Sequence, residues 1–325
     1  MKTNICNRIG NRNIMTALAV TMLAGLAPPA QAFSGAYYYS IDVARAARDQ
    51  YGSSATIVLQ CEHLYCWKAK VRSTLYGIDM KRAVTTQYGS SFKLVATGVH
   101  AYDWRAFRPS RSQYFVLPVM LVASDRWFDI QGVRDALTRF RSVLTTTQNW
   151  YNYQADEVFR YLQPIVMATS NTSSWWNATS QNTTNDAYRS ALFDAAVAVY
   201  QDNLPLPSST QRVALSIHVS GGIDYWWGAQ ALYGIAVAPQ RATSVTCPPT
   251  GAQDYRCADA TYAVGHELGH AFGALTKTVD NNEHTCDVYP SDANCWYSIM
   301  QRGKPWDAIL LNGEVVDFRA SPFFN

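Results

Sequence analysis

The chain has 325 residues, of which 48% are hydrophobic and 16% charged, and its formal net charge is +3. Lys2, Arg8 and Arg12 all lie in the first 32 residues, so the rest of the chain carries basic and acidic side chains in equal number. A chain without excess charge gains no electrostatic attraction to nucleic acid or to an acidic membrane surface, so we expect neither as a partner.

The first 32 residues have the organisation of a secretory signal peptide. A basic start is followed by an apolar run at 14–26 and by the small-x-small sequence Ala30-Gln31-Ala32. The apolar run is about 13 residues long, whereas a membrane span needs about 20. We predict cleavage after Ala32, a secreted or periplasmic protein, and no stable membrane insertion.

Residues 33–108 are predicted to form a small β-rich N-terminal domain or a pro-segment. The pairs Tyr51-Gly52 and Tyr88-Gly89, each followed by serines, punctuate this part of the chain. His63 and His100 are interpreted as ordinary polar residues rather than groups that cap a metal. The segments typical of strands are 55–60, 67–73 and 92–99.

Residues 109–325 are predicted to form a second domain in which strands and helices are mixed. A stretch rich in Ser, Thr and Asn at 171–186 indicates a surface loop with sequons at Asn171, Asn177 and Asn182. Hydrophobic periodicity predicts buried or alternating strands at 114–123, 159–168, 213–219 and 233–238, and helices at 130–151 and 187–200.

The most constraining segment is His266-Glu267-Leu268-Gly269-His270, in a helix predicted at 259–273. At this spacing both histidines lie on one helix face and can hold one Zn²⁺. Glu267 can then act as general base toward a water that the metal acidifies, which is the chemistry of peptide hydrolysis. About 0.002 such matches are expected by chance at this composition, so an ordinary helix with two surface histidines is the weaker interpretation.

The downstream sequence resembles that of the metzincin clan of zinc endopeptidases. The clan pattern continues with a glycine, a third histidine and a Met-containing turn below the metal, and Gly273 and Met300 match two of these features. The resemblance implies an α+β, metzincin-like zincin catalytic domain with a twisted mixed sheet and an active-site helix. It also implies that Met300 supports the metal site.

The sequence departs from the clan where the third histidine should stand, because Thr276 occupies that position. A catalytic zinc usually has three protein ligands and a water. We predict that His284, the only histidine after the helix, completes the set. The carboxylates that compete with it for this role are Asp280, Glu283 and Asp287.

Six cysteines remain after removal of the leader, an even number that indicates disulfides in an exported protein. Proximity favours the pairs Cys61 with Cys66, Cys247 with Cys257, and Cys286 with Cys295. The last pair would close a small loop between His284 and Met300 and hold both near the helix.

The sequence as a whole predicts a secreted zinc endopeptidase that acts on a protein or peptide substrate. Two alternatives stay open: an inactive binding protein with the same fold, marked by Thr276, and a zinc hydrolase of a non-peptide substrate. An intact Glu267 argues against the inactive form. Further candidates for contact with a substrate or an oxyanion are His218, the cluster Tyr225-Trp226-Trp227, Tyr289 and Tyr297.

Overall fold

A computed structural model of the chain describes most of the two predicted domains. The described residues are 37–108, 114–156, 158–180, 213–220, 230–232, 235–238, 246–247, 255–272, 286, 291–294, 298, 300–301 and 310–324. Within these ranges, no helix combines the length and the apolar composition that a membrane span requires.

Residues 37–108 form two helices and two three-stranded antiparallel sheets. The helices are α1 (Val43–Tyr51) and α2 (Met80–Tyr88). The strands are β1 (Tyr37–Ser40), β2 (Thr56–Leu59), β3 (Trp67–Val71), β4 (Thr74–Gly77), β5 (Lys93–Ala96) and β6 (Trp104–Arg108), in the sheet orders β1-β6-β5 and β2-β3-β4. The three predicted strands are confirmed as β2, β3 and β5, whereas α1 and α2 were not predicted.

This part of the chain is built from two repeats that contact each other reciprocally. Both helices end with Gln-Tyr and are followed directly by Gly-Ser-Ser. The amide of Gln50 bonds the backbone O and N of Asp79 at 2.8 and 2.9 Å, and the amide of Gln87 bonds the same atoms of Asp42 at 2.8 and 3.0 Å. The first repeat runs from β1 to β3 and the second from β4 to β6. The first strand of each repeat pairs with the last strand of the other, β1 with β6 and β4 with β3.

The second part of the chain contains a five-stranded mixed sheet with helices packed on it. The strands are β7 (Phe115–Val122), β8 (Ile165–Ala168), β9 (Val213–Ser220), β10 (Gln230–Leu232) and β11 (Ile235–Ala238). Their order is β10-β11-β9-β7-β8, and all pairs are parallel except β10 with β11. The helices are α3 (Ile130–Ala155), α4 (Ser173–Ser180), α5 (Tyr255–Ala271) and α6 (Asn312–Ala320), followed by the 3₁₀ turn Pro322–Phe324.

Strand β7, in the interior of the sheet, and the long helix α3 agree with the sequence pattern. Every residue of β7 is buried, as expected for a parallel strand that is covered on both faces. Helix α3 begins where the side chain of Asp129 accepts a hydrogen bond of 2.9 Å from Gly132 N. It ends at Asp156, which adopts the left-handed conformation with φ of 54°.

The prediction of a surface loop at 171–186 is wrong over Ser173–Ser180, which forms α4. Asp125, far away in sequence, caps this helix by accepting from Ser173 N at 2.7 Å and from Ser173 Oγ at 2.5 Å. Trp176 is 1% exposed and anchors the helix in the protein. The cap and this burial stabilise a segment whose local composition favours a loop.

Other predicted elements differ in extent or lie outside the described residues. The strand predicted at 159–168 is observed only over Ile165–Ala168, and the strand predicted at 213–219 is confirmed as β9. The predicted helix at 187–200 lies outside the described residues.

Candidate metal centre

Helix α5 presents the two histidines of the motif on one side and an apolar surface on the other. Ala260, Val264 and Leu268 follow a spacing of four and are at most 1% exposed, so this face is fixed against the core. The helix period then turns His266 and His270 to the opposite side, one turn apart. Their ring centroids lie 4.9 Å apart with an interplanar angle of 83°.

The carboxylate of Glu267 lies beside this pair and is buried. Its Oε1 is 3.8 Å from His266 Nε2, and the residue is 5% exposed. Its Oε2 is buried and has no hydrogen-bond partner among the described residues. Burial raises the pKa of Glu267 from its ordinary value of 4.5 to about 8.

The residues of this site fit a zinc ion. Two imidazoles within one helical turn supply two nitrogen ligands, and the unsatisfied Oε2 of Glu267 provides an acceptor for a water molecule held next to them. A cation would also favour the ionised carboxylate, because an opposite charge within about 4–6 Å lowers the pKa of an acid. Within the part of the chain that the structure describes, no third His, Cys, Asp or Glu completes a metal-binding group.

The raised pKa of Glu267 gives a pH-dependent stability that we expect in the metal-free chain. The folded chain keeps the proton up to about pH 8, whereas the unfolded chain loses it near pH 4.5. Stability contributed by this proton is therefore present below about pH 4.5 and is lost as pH rises toward 8. Glu267→Gln cannot lose a proton, so its advantage over the wild type in free energy of unfolding should grow across this window.

Denaturant unfolding in excess chelator at about pH 4, 7 and 9 measures this difference. The curves of the variant and the wild type should be closest at the lowest pH and furthest apart at the highest. A difference that does not change with pH would contradict a buried carboxyl at this position.

Met300 forms the floor below α5. Its side chain is fully buried and lies against Gly269, between the two histidines in sequence. A Cβ at Gly269 would overlap Met300 Sδ and come within 3.0 Å of Met300 Cε and 3.1 Å of Tyr151 Oη. The glycine of the motif is therefore required by packing, since only a residue without a side chain lets Met300 approach the helix.

Tyr151 of α3 reaches the same part of α5. Its hydroxyl donates a hydrogen bond of 2.6 Å to the carbonyl of Gly265, the residue before His266. Burial, and secondarily the charge of Glu314, raises the pKa of Tyr151 well above its ordinary value of 10. The phenol therefore stays protonated and remains a donor, which fixes α3 relative to α5.

The residues around Met300 are tied to α5 and to the segment that carries Cys286. The hydroxyl of Tyr262, one turn before His266, donates to the carbonyl of Gln301. Gln301 Oε1 accepts from Cys286 N at 2.8 Å. These two bonds connect α5, the turn at Met300 and Cys286, which lies two residues after His284.

The disulfide predictions are confirmed where the structure describes both cysteines. Cys61 is bonded to Cys66, and Cys247 is bonded to Cys257. Cys257 lies in the first turn of α5, so its bond secures the start of the helix that carries the motif. Cys286 is also disulfide-bonded, and its predicted partner Cys295 lies outside the described residues.

For several predicted site residues, the side chain lies outside the described part of the structure. His218 lies in β9, where its backbone is opposite Met120 of β7 and Ala238 of β11, but its side chain is outside the described part. The candidates that lie wholly outside the described residues are Gly273, Thr276, Asp280, Glu283, His284, Asp287, Tyr289, Tyr297 and the cluster at 225–227.

Sequence reasoning missed the supporting contacts of Tyr151, Tyr262, Gln301 and Glu314. The two glycines Gly265 and Gly269 were the available signal, since small residues four apart on one helix face allow close approach by neighbouring elements. They do not reveal which residues approach.

Comparison with solved structures finds distant neighbours of this chain. No protein-family model matches the sequence, and no curated protein matches it either. Wild-type OgpA from Akkermansia muciniphila aligns with a TM-score of 0.39 and 13% identity, over 66% of this chain and 63% of that chain. Catalytically inactive OgpA in complex with an O-glycopeptide, glycodrosocin, aligns with a TM-score of 0.42 and 12% identity, over 66% and 62%.

This chain thus spans slightly less than two thirds of the length of either OgpA structure. At these scores the likeness does not define a shared family. The function proposed below depends on the geometry of the site.

Proposed function

We propose that this protein is an exported, zinc-dependent endopeptidase. The observation that carries the proposal is the arrangement of His266 and His270 on one turn of α5. The buried Oε2 of Glu267 lies beside them and has no hydrogen-bond partner in the described part of the chain. The recessed position, with each of the three residues at most 7% exposed, suits chemistry that must be shielded from bulk water.

When bound, the zinc ion would lower the pKa of a water molecule and polarise the substrate carbonyl. His266 and His270 would hold it through ring nitrogens. Glu267 would accept the proton of the attacking water and then deliver it to the departing amine. Burial raises the proton affinity of Glu267, and a nearby cation would lower it. With these opposing effects, the carboxylate would be able both to accept a proton and to release it.

The floor of the site would keep the imidazoles in place during this reaction. Met300 and Tyr151 both contact the helix at or next to the motif, so α5 is supported where the histidines project. Support of this kind restricts the metal ligands to one geometry, which is what a preorganised site requires.

An extended peptide could be held at the edge of the sheet near α5. Among the described strands, β10 ends the sheet order and pairs antiparallel with β11, and α5 contacts both of them. A substrate strand could add to this edge through backbone hydrogen bonds, a mode of binding that does not depend on side-chain identity. Binding of this kind would suit a peptide substrate.

The third zinc ligand is proposed to be His284, and its replacement gives a testable outcome. His284→Ala should lose most bound zinc and most activity, because a catalytic site rarely functions with two protein ligands. Zinc content by mass spectrometry of the purified variant measures this. Retention of zinc in His284→Ala, with loss in one of the variants Asp280→Ala, Glu283→Ala or Asp287→Ala, would assign the ligand to that carboxylate.

The experiment that tests the proposed function compares cleavage of a denatured protein substrate with and without a chelator, beside the zinc content of the same sample. Stoichiometric zinc with chelator-sensitive cleavage supports the endopeptidase. Stoichiometric zinc without cleavage of any peptide bond would instead favour the binding protein or a non-peptide hydrolase.

A further inference from the structure

The turn that carries Met300 is held by a buried hydroxyl. Ser298 and Met300 are both fully buried. Ser298 Oγ accepts a hydrogen bond of 2.9 Å from Met300 N and donates one of 2.5 Å to Glu314 Oε1. The hydroxyl therefore links the backbone of Met300 to a carboxylate on another element.

That carboxylate belongs to α6 and is itself fully buried. Its second oxygen, Oε2, accepts a hydrogen bond of 2.7 Å from Leu311 N at the start of α6. A carboxylate buried without partners would be strongly destabilising, so its position is determined by the donors that surround it. Glu314 thus fixes the start of α6 and the turn at Met300 relative to each other.

Helix α6 is in turn fixed against the elements below the histidines. Phe318 of α6 lies 5.0 Å from Tyr151, centroid to centroid, and Tyr151 donates to Gly265 of α5. The turn at Met300 is therefore attached to α5 by three routes. Two are direct: Met300 packs on Gly269, and Tyr262 of α5 donates to the carbonyl of Gln301. The third runs through Glu314, α6 and Tyr151.

We propose that Glu314 is a positioning residue of the metal centre. By holding Ser298, it keeps the sulfur of Met300 pressed against Gly269 and so keeps the helix turn between His266 and His270 in one position. The inference rests on the proposed zinc-dependent function, but the contact it concerns exists in the chain without metal.

Two variants alter the link in different ways. Glu314→Gln keeps the size of the side chain but replaces one acceptor by a donor. Either Leu311 N then loses its acceptor, or the bond to Ser298 Oγ must reverse its direction. Ser298→Ala removes the hydroxyl and leaves Glu314 and α6 in place. Glu62→Gln, the same chemical change on an exposed side chain, is the matched control.

The first readout is the methyl resonance of Met300 in protein labelled at the methionine methyl groups, assigned with Met300→Leu. This spectrum reports the environment of Met300 in the chelated protein and needs no activity. We expect the Met300 resonance to shift or broaden in Glu314→Gln and in Ser298→Ala, and to be unchanged in Glu62→Gln.

The second readout is made on the metal-loaded enzyme. We expect kcat or zinc affinity to fall about 10- to 100-fold in both variants, with KM for the peptide little changed, as for other residues that orient metal ligands. The visible absorption of the cobalt-substituted protein should change as well, because it reports ligand geometry. The double variant should lose no more kcat or zinc affinity than the stronger single variant, since both changes act on the same hydrogen bond between Ser298 and Glu314.

A wild-type Met300 resonance in both variants, with unchanged cobalt absorption and kcat, would overturn the role of Glu314 even if the variants unfold at lower temperature. If Glu314→Gln does not fold, Ser298→Ala decides the matter alone. Failure of the wild-type protein to bind zinc or to cleave peptide would refute the proposed function instead, and the metal-free methyl spectrum would still test the contact.

Discussion

Replacing Glu267 with Gln should lower kcat for peptide hydrolysis about 10²- to 10⁴-fold, the range expected for loss of a general base. Gln has nearly the same shape as Glu but cannot accept and return a proton. Glu267 is not proposed as a ligand, so zinc content should stay near one per chain. The loss should appear in kcat and in kcat/KM alike, because proton transfer takes place in the transition state and not in substrate binding.

Steady-state kinetics and metal analysis on the same preparation measure this prediction. The control is Glu62→Gln, which makes the same change on an exposed side chain outside the site. If Glu267→Gln retained wild-type kcat, the carboxylate would have no part in the chemistry. If the variant lost its zinc, Glu267 would have to be counted among the ligands.

Replacing Gly269 with Ala should destabilise the protein although alanine is the better helix former. In an exposed helix this substitution stabilises by roughly 1 kcal/mol. Here the added Cβ would overlap Met300 Sδ, which is fully buried and has Tyr151 on the same side of the helix. Overpacking of a core costs about 1–3 kcal/mol, so we expect the free energy of unfolding to fall by up to about 2 kcal/mol and Tm to drop by a few °C.

A matched control and a double variant separate this clash from a general effect of losing glycine. A Cβ at Gly77 would meet nothing within 4 Å, so Gly77→Ala should change the free energy of unfolding by less than about 0.5 kcal/mol. In a Met300→Ala background the cost of Gly269→Ala should largely disappear, because the two residues share one contact. A more stable Gly269→Ala protein would contradict the packing of Met300 on the helix.

The sequence was most informative where the chemistry depends on local spacing. His266, Glu267 and His270 are close in sequence, so helix geometry alone predicts which side chains share a face. The disulfides Cys61–Cys66 and Cys247–Cys257 were predictable for the same reason, since their partners are near in sequence. Likewise the unbroken apolar run at β7 indicated a strand buried on both faces.

Contacts between distant segments produce no recognisable pattern in the sequence. Tyr151 bonds Gly265 across 114 positions, and Glu314 bonds Ser298 from a separate helix. A glutamate in a short C-terminal helix resembles any solvated surface residue until its burial is known. The floor of the site therefore became visible only in three dimensions.

In the N-terminal part, the sequence carries a signal for helices that the strand prediction does not use. The Tyr-Gly pairs suggest breaks between strands, whereas Gly52 and Gly89 end helices with φ of 98° and 90°. Asp42 and Asp79 begin the same helices by accepting from a backbone N–H three residues later. The shared Gln-Tyr-Gly-Ser-Ser at 50–54 and 87–91 is the sequence signal of the repeat and of both helix ends.

The most direct test of a zinc ion held by α5 is zinc X-ray absorption spectroscopy of the purified chain without residues 1–32, beside the variant His266→Ala/His270→Ala. One zinc per chain with at least two imidazole ligands, lost in the double variant, is the result predicted here. A chain that binds no zinc at neutral pH, or a zinc that survives removal of both histidines, would contradict it.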